Sequence, residues 1–293
     1  MSCYLSSSCF RNVKLSSAIE ACGSMSNLNV EISAPHPHES IDDLKKILKK
    51  YRDQNYNFTF HNYFPAPKKS FVLNIASSEK DTIQACQKML KDVLTLSFYA
   101  NSNIYGIHAG YLSKATPQSD GNFQFEEKTY GYEKSLERAT NFVNAANKDF
   151  EKKNVHLLIE NLFPSLSRRS SLFCDLKEIS EFMQLVPKSV GLLLDLGHLN
   201  ISSNLLKFDR EKFINKYLEF FGDRLSEVHI SENNGLKDEH LALKKGSWQL
   251  EAIKKIKEIK PTLSEKRIYC LEARNSNSQD LKNSLNQINE IIN

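Results

Sequence analysis

The 293-residue chain has 40% hydrophobic and 25% charged residues, an ordinary composition for a globular protein that argues against a disordered polypeptide. Its 39 Lys and Arg against 35 Asp and Glu give a net charge of +4, without the long basic run that typically follows a nucleic-acid backbone. The mean hydropathy is −0.46, and neither a membrane-spanning apolar run nor an apolar signal-peptide core is found, which predicts a cytoplasmic protein.

Short apolar segments alternate with longer amphipathic segments about eight times along the chain. The predicted strands are, in chain order, Tyr4–Cys9, Leu28–Ser33, Asn57–His61, Asn103–Ala109, Val155–Asn161, Val190–Asp195, Leu225–Ile230 and Arg267–Glu272. The predicted helices are Val13–Cys22, Ile41–Tyr51, Glu79–Tyr99, Tyr132–Lys152, Leu176–Leu185, Arg210–Phe221, Gln249–Ile259 and Asp280–Ile292.

Eight strand–helix units in a chain of this length predict an α/β fold, the (β/α)8 TIM barrel. We expect residues 1–293 to form a single domain, because no linker rich in Pro or Gly interrupts the pattern. A doubly wound open sheet is the alternative. The even spacing of the units and the lack of a G-x-G-x-x-G turn after an early strand disfavour it.

Polar residues end most of the predicted strands, at the side of a TIM barrel where catalysis takes place. Another three polar residues follow closely: His198 comes three residues after Asp195, and an Asp-x-His pair lies in the loop after the seventh strand. A single histidine at a strand end is more often explained by packing, but so many on one rim need a common explanation. The candidate residues are His61, His108, Glu160, Asp195, His198, His229, Asp238, His240 and Glu272.

These imidazoles and carboxylates would be costly to bury together without a positive charge between them. A divalent metal ion is the simplest partner. Mixed imidazole and carboxylate ligands suit zinc, manganese, cobalt or iron better than calcium, and magnesium is a further alternative. The sequence does not indicate which metal binds.

The motifs LLIEN, LLDLGH, EVHISENNGLKDEHLAL and LEAR resemble those of the xylose-isomerase-like barrel superfamily, which groups sugar isomerases and epimerases with abasic-site nucleases of the endonuclease IV type. In the isomerases and epimerases, the resemblance implies that one metal ion is held by Glu160, Asp195, His229 and Glu272. In the nucleases, it implies three zinc ions and five additional ligands, which would be His61, His108, His198, Asp238 and His240.

Two loops depart from these patterns. The loop after Glu160 reads NLFPSLSRRSSLF and lacks the Gly-rich segment of the nucleases. The segment SENNGLKDEH, which follows His229, lacks the Arg that ketose epimerases carry there. The resemblance therefore indicates the superfamily and leaves the substrate open.

The first functional hypothesis is a metal-dependent isomerase or epimerase that acts on a small-molecule sugar or sugar phosphate. In this hypothesis Glu160 and Glu272 transfer a proton through a metal-stabilised enediolate, and one ion is expected, with up to three possible. The alternative is a zinc-dependent phosphodiesterase acting at abasic sites, for which nucleic acid would be the partner. A binding protein without turnover is disfavoured by the complete set of candidate ligands. No membrane partner is expected, and the oligomeric state is not indicated.

Four basic residues lie on loops expected to face the same rim and could bind a substrate phosphate. Ordinary surface charge is the alternative explanation for them. These residues are Lys68, Lys69, Arg168 and Arg169.

Overall fold

The computed structural model describes residues 3–118, 123–166 and 169–293. Its strands are β1 (Tyr4–Ser6), β2 (Asn29–Ile32), β3 (Asn57–His61), β4 (Ile104–His108), β5 (Ser113–Pro117), β6 (Phe123–Thr129), β7 (His156–Glu160), β8 (Gly191–Asp195), β9 (Leu225–Ile230) and β10 (Ile268–Leu271). Its helices are α1 (Leu15–Ser24), α2 (Ile41–Arg52), α3 (Lys80–Ala100), α4 (Tyr132–Lys152), α5 (Leu176–Gln184), α6 (Leu196–Leu206), α7 (Arg210–Phe221), α8 (Trp248–Lys257) and α9 (Ser278–Ile292).

Eight of the strands are parallel and close into a barrel, with neighbours in the order β1, β10, β9, β8, β7, β4, β3 and β2. The main hydrophobic core fills the space between this barrel and the surrounding helices. A smaller apolar cluster of Ile104, Leu158 and Leu193 comes from β4, β7 and β8 and packs with Ile268 of β10. The prediction of a TIM barrel is confirmed.

The sequence prediction lacks helix α6 and the hairpin formed by β5 and β6. Helix α6 begins directly after β8, and its buried residues cover both faces, so it lacks an amphipathic pattern. Strands β5 and β6 form an antiparallel hairpin between β4 and α4, and their polar, largely exposed sequences resemble a loop. The first predicted strand is also too long, because Ser7–Phe10 form a 3-10 helix whose entry is capped by the Ser6 hydroxyl.

The hairpin packs against the carboxyl end of the barrel through aromatic side chains. The ring of Tyr111, which follows β4, lies 5.8 Å from the ring of Phe123 and 5.2 Å from that of Phe125, measured between centroids. Along the described part of the chain, no helix is both long and apolar enough to cross a membrane.

The barrel interior gives a direct test of this fold. Replacing the fully buried Leu158 with Ala should lower the free energy of unfolding by about 2–5 kcal/mol, because it removes contacts and leaves a cavity. The control is Leu185→Ala, at a side chain that is 52% exposed, and it should change that free energy by no more than about 0.5 kcal/mol. Urea denaturation measures both. Equal effects of the two substitutions would contradict the placement of Leu158 inside the barrel.

Candidate metal centre

The structure brings the nine candidate side chains together at the carboxyl end of the barrel. The strand register places His108 beside Glu160 and Asp195 beside His229. Seven of the nine residues are at most 5% exposed, namely His61, Glu160, Asp195, His198, His229, His240 and Glu272. The side chains of His108 and Asp238 are 15% and 22% exposed and lie nearest the solvent.

The junction of β8 and α6 fixes Asp195 and His198 relative to each other. Asp195 is the N-cap of α6, and its Oδ1 accepts a hydrogen bond from the backbone N–H of His198 at 2.6 Å. Asn161 holds the same junction, because its side chain accepts from the backbone N–H of Asp195 and donates to the carbonyl of Asp195. Gly197 is required here, since a Cβ atom would lie 2.7 Å from the Ser231 hydroxyl.

Glu160 lies at the centre of one group of imidazoles. Its Oε2 is 2.7 Å from His61 Nε2 and 3.3 Å from His108 Nε2. Its Oε1 is 3.2 Å from His198 Nδ1. One carboxylate therefore faces three imidazoles that come from β3, β4 and α6.

A second group consists of Asp195, His229 and Glu272. His229 Nδ1 is 3.3 Å from Glu272 Oε2 and 3.8 Å from Asp195 Oδ2. Both His229 Nδ1 and Asp195 Oδ2 are buried and have no hydrogen-bond partner. Buried polar atoms without partners are costly, and a cation between them would satisfy both.

A third group lies nearer the solvent, around Asp238. Its Oδ2 is 2.6 Å from His240 Nε2 and 3.5 Å from His198 Nε2. The guanidinium of Arg274 contacts the same nitrogen of His240 and lies 3.2 Å from Glu272 Oε1. A protein cation is thus already present at this edge of the centre.

Four of the five imidazoles have one nitrogen aimed at these carboxylates and the other held by a different group. His198 differs, because its Nδ1 faces both Glu160 and the carbonyl of Asn161, while its Nε2 faces Asp238. The holding group is a backbone carbonyl for His198 and His240, and a carbonyl can only accept, so Nδ1 of these rings carries a hydrogen. Such outer contacts orient metal-binding histidines in proteins generally. The holding groups, from His61 to His240 in chain order, are the Ser33 hydroxyl, the Tyr111 hydroxyl, the Asn161 carbonyl, the Glu31 carboxylate and the Glu272 carbonyl.

The charges in the centre compensate one another. Burial alone would raise the pKa of Glu160, but His108 and His61 hold that pKa well below its usual value. Burial would lower the pKa of His198, yet Asp195 and Asp238 raise it well above its ordinary value. A proton on His198 therefore provides positive charge to the carboxylates around it, and metal ligation would release that proton. His108 differs, because burial lowers its pKa to about 3.

The described residues could hold a divalent cation in four overlapping groups of ligand atoms, each lying within 4.8 Å of one another. The four ligands that the resemblance implies for a single ion do not all fall in one group. Asp195 is shared between a group with His229 and Glu272 and another with Glu160 and His198. The two remaining groups are Glu31 with His61 and His229, and His61 with His108 and Glu160.

Four residues near the centre were not identified as site residues from the sequence: Glu31, Tyr111, Asn161 and Arg274. Glu31 is the only one with a distinct sequence signal, an acidic residue within an apolar predicted strand. Tyr111 and Asn161 act by holding His108 and the β8–α6 junction, which requires the tertiary contacts to be known.

The structure describes three of the four basic residues considered for phosphate binding. Arg169 forms ion pairs with Asp175 at 2.8 Å and Glu178 at 2.7 Å, so its charge is already compensated within the chain. Lys68 and Lys69 are exposed. Arg168 lies outside the described residues.

The chain thus forms a closed barrel with imidazoles and carboxylates gathered at the carboxyl ends of its strands, where they could hold a divalent cation. Residues 18–288 match the family described as xylose isomerase-like TIM barrel, and the chain belongs to that family. The protein MJ1614 of Methanocaldococcus jannaschii, described as uncharacterized, is 27% identical over 224 residues, which cover 75% of this chain and 74% of that protein.

Two solved structures show the same fold at low sequence identity. The crystal structure of a D-tagatose 3-epimerase-like protein matches with a TM-score of 0.76 and 21% identity, covering 100% of this chain and 98% of that chain. An AP endonuclease, family 2, from Brucella melitensis matches with a TM-score of 0.62 and 12% identity, covering 96% of each chain. The fold is therefore shared with a protein described as D-tagatose 3-epimerase-like and with one described as an AP endonuclease of family 2.

Asp195 provides the first test of the centre. Asp195→Asn should remove much of the bound divalent metal, because the amide is a poorer ligand than the carboxylate. The stability should change little, since Asn is as good an N-cap for α6 as Asp. Elemental analysis of gently purified protein and thermal denaturation measure the two effects. Wild-type protein that takes up no divalent ion would contradict the metal assignment.

Proposed function

We propose that this protein is a metal-dependent sugar or sugar-phosphate isomerase or epimerase. The observation that carries the proposal is the position of two carboxylates relative to Asp195. Glu160 and Glu272 belong to two different groups of candidate metal ligands, and Asp195 is a member of both groups. Two carboxylates that flank one metal-binding position can exchange protons with a substrate from two sides. We assign the metal to Glu160, Asp195, His229 and Glu272, and its candidates are manganese, zinc, cobalt and magnesium.

The burial of the centre supports a small substrate. Most of the ligand side chains are nearly inaccessible, and the more exposed His108 and Asp238 lie at the solvent side. The ring of Phe163 lies 4.9 Å from that of His198 and offers an apolar surface of the kind that a sugar ring contacts. A substrate in this position would be enclosed, which strengthens electrostatic interactions with it.

When bound, the metal ion would polarise the substrate carbonyl and stabilise the negative charge that develops on its oxygen. The side chains of the protein then transfer the protons. One of the two glutamates takes a proton from the carbon beside the carbonyl, and the electron pair of that C–H bond passes into the carbonyl system. The other glutamate returns a proton to the opposite face of the same carbon, which restores the carbonyl and gives an epimer. For an isomer, the proton is returned to the former carbonyl carbon, and the hydroxyl proton of the first carbon passes to the former carbonyl oxygen, so that the first carbon becomes the new carbonyl.

The contacts of the two glutamates support different environments for these roles. Glu160 faces only imidazoles, through His61, His108 and His198. Glu272 accepts a hydrogen bond from the Ser8 hydroxyl at 3.2 Å and lies beside the guanidinium of Arg274. The permanent positive charge of Arg274 favours an ionised Glu272.

A second candidate function, a zinc-dependent abasic-site phosphodiesterase, is favoured by one observation. The candidate ligands form four overlapping groups and not one, which is compatible with several ions, and multi-metal centres hydrolyse phosphodiesters. Arg274 argues against it, because its guanidinium supplies positive charge to His240 and Glu272 and would compete with an ion bound beside Asp238.

Substitution of the two glutamates tests the proposed chemistry. Glu160→Gln and Glu272→Gln should each lower kcat by roughly 10²–10⁴-fold and change KM much less, because a general acid or base acts on the chemical step. Incorporation of solvent deuterium at the reactive carbon of a panel of ketoses and aldoses is the measurement. Glu232→Gln is the control, since this buried glutamate three residues after His229 belongs to none of the four ligand groups.

No deuterium incorporation into any tested sugar, together with cleavage of an abasic-site duplex, would reject the isomerase in favour of the second candidate. Incorporation that is unchanged in both glutamine variants would reject the assigned roles while leaving the metal centre in place.

His240 separates the two functions by metal content. For an isomerase or epimerase, His240→Ala should raise the KM for the sugar and leave the principal ion bound. For the nuclease, the same variant should lower the number of zinc ions per chain and abolish phosphodiester cleavage. Elemental analysis of zinc-loaded wild type and variant decides between them. Three ions in the wild type and fewer in the variant would overturn our preference.

A further inference from the structure

Two fully buried glutamates, Glu31 of β2 and Glu227 of β9, lie inside the barrel next to His229. Both are 0% exposed. Glu227 precedes His229 by two residues on the same strand, so the two side chains point to the same, inner side of the barrel. Neither glutamate is among the four ligands assigned to the metal in the proposed function.

Glu31 makes a direct hydrogen bond to His229. Its Oε2 lies 2.6 Å from His229 Nε2, between residues that are 198 positions apart in the chain. A carboxylate accepts, so Nε2 donates its hydrogen to Glu31. In the neutral ring the other nitrogen, Nδ1, then keeps its lone pair, and it is the one that lies beside Asp195 and Glu272 without a hydrogen-bond partner.

This arrangement distinguishes His229 from the other four imidazoles of the centre. Their holding groups are hydroxyls and backbone carbonyls, which are neutral. A negatively charged acceptor fixes the tautomer more strongly and makes the opposite nitrogen a better electron donor. Metal ligation needs a deprotonated nitrogen. Nδ1 of His229, which faces Asp195 and Glu272, is therefore the atom suited to bind a cation.

We propose that Glu31 is the positioning residue of His229, which holds the ring in the Nε2–H tautomer and so sets the affinity of the centre for its metal ion. This inference rests on the metal assignment within the proposed function and not on the identity of the sugar. Glu31 does not touch substrate in this scheme and acts only through the imidazole.

Glu227 offers a matched control within the same layer of the barrel. It is the same residue type and as buried as Glu31, but its nearer oxygen is 4.0 Å from His229 Nε2, and neither of its carboxyl oxygens has a hydrogen-bond partner. Burial and the neighbouring Glu31 raise the pKa of Glu227 to about 8. A general effect of replacing a buried carboxyl group in the barrel interior would appear in variants of either glutamate. An effect through the His229 hydrogen bond would appear only in variants of Glu31.

The test compares Glu31→Gln, Glu31→Asp and Glu227→Gln. Zinc and cobalt affinities are measured by calorimetry and by competition with a chelator, after removal and re-addition of the metal. Glu31→Gln should weaken binding by about 10–100-fold, the range found for outer partners of ligating histidines. Its amide can donate to Nε2 and so favour the wrong tautomer, with the hydrogen on Nδ1. Glu227→Gln should stay within about threefold of wild type.

A second readout reports the tautomer itself. Nitrogen chemical shifts of ¹⁵N-histidine-labelled, metal-free protein distinguish Nε2–H from Nδ1–H rings, and His229→Gln identifies the signal. We expect the Nε2–H form in wild type and in Glu227→Gln, and a change of form in Glu31→Gln. Glu31→Asp keeps the carboxylate and should retain the wild-type tautomer. If Glu31→Gln does not fold, Glu31→Asp still tests whether a carboxylate at this position sets the tautomer.

The outcomes separate this inference from the proposed function. Equal metal affinity in wild type and Glu31→Gln, or equal losses in Glu31→Gln and Glu227→Gln, would overturn the role of Glu31. An Nδ1–H tautomer in wild type would also overturn it. A loss of affinity confined to Glu31→Gln, in a protein that turns over no sugar, would uphold the role of Glu31 and reject the isomerase.

Discussion

The structure depends on one electrostatic constraint, the compensation of carboxylates buried at the carboxyl end of the barrel. Glu160, Asp195 and Glu272 are almost completely shielded from water, and ionised carboxylates in such surroundings require partners. Imidazoles provide them, because His61, His108 and His198 face Glu160, and His229 faces Asp195 and Glu272. An imidazole compensates a carboxylate only when it is protonated or shares a cation with it, so the centre is suited to either protons or metal ions.

The β5–β6 hairpin and the N-terminus of α6 orient two of those imidazoles. The hairpin of β5 and β6 packs on Tyr111, whose hydroxyl contacts His108 Nδ1 at 2.8 Å. The N-terminus of α6 fixes His198 through its hydrogen bond to Asp195. The elements that differ most from a plain strand–helix repeat are thus the ones that orient ligand atoms, which explains why a regular barrel alone would not form this centre.

The sequence predicts the barrel and the nine rim residues because both follow from local patterns. Alternating apolar and amphipathic segments identify the units, and the last residue of each strand must lie on the catalytic side. Glu31 could not be assigned a role in this way, since its partner His229 is 198 residues distant and only closure of the barrel brings them together. Helix α6 was missed because it is buried on both faces, and the grouping of the ligands depends on distances that spacing does not supply.

The ligand residues alone do not decide between an isomerase and a nuclease, because both use the same positions of the barrel. The decision lies in the charge around them. A nuclease must neutralise the phosphates on both sides of the bond it cleaves, and this usually requires Lys or Arg that are free to contact them. The guanidinium of Arg169 is bound by Asp175 and Glu178, and that of Arg274 lies against Glu272 and His240. Both charges are already used within the chain, which supports the proposed sugar substrate, whereas the exposed Lys68 and Lys69 remain available to a phosphate group.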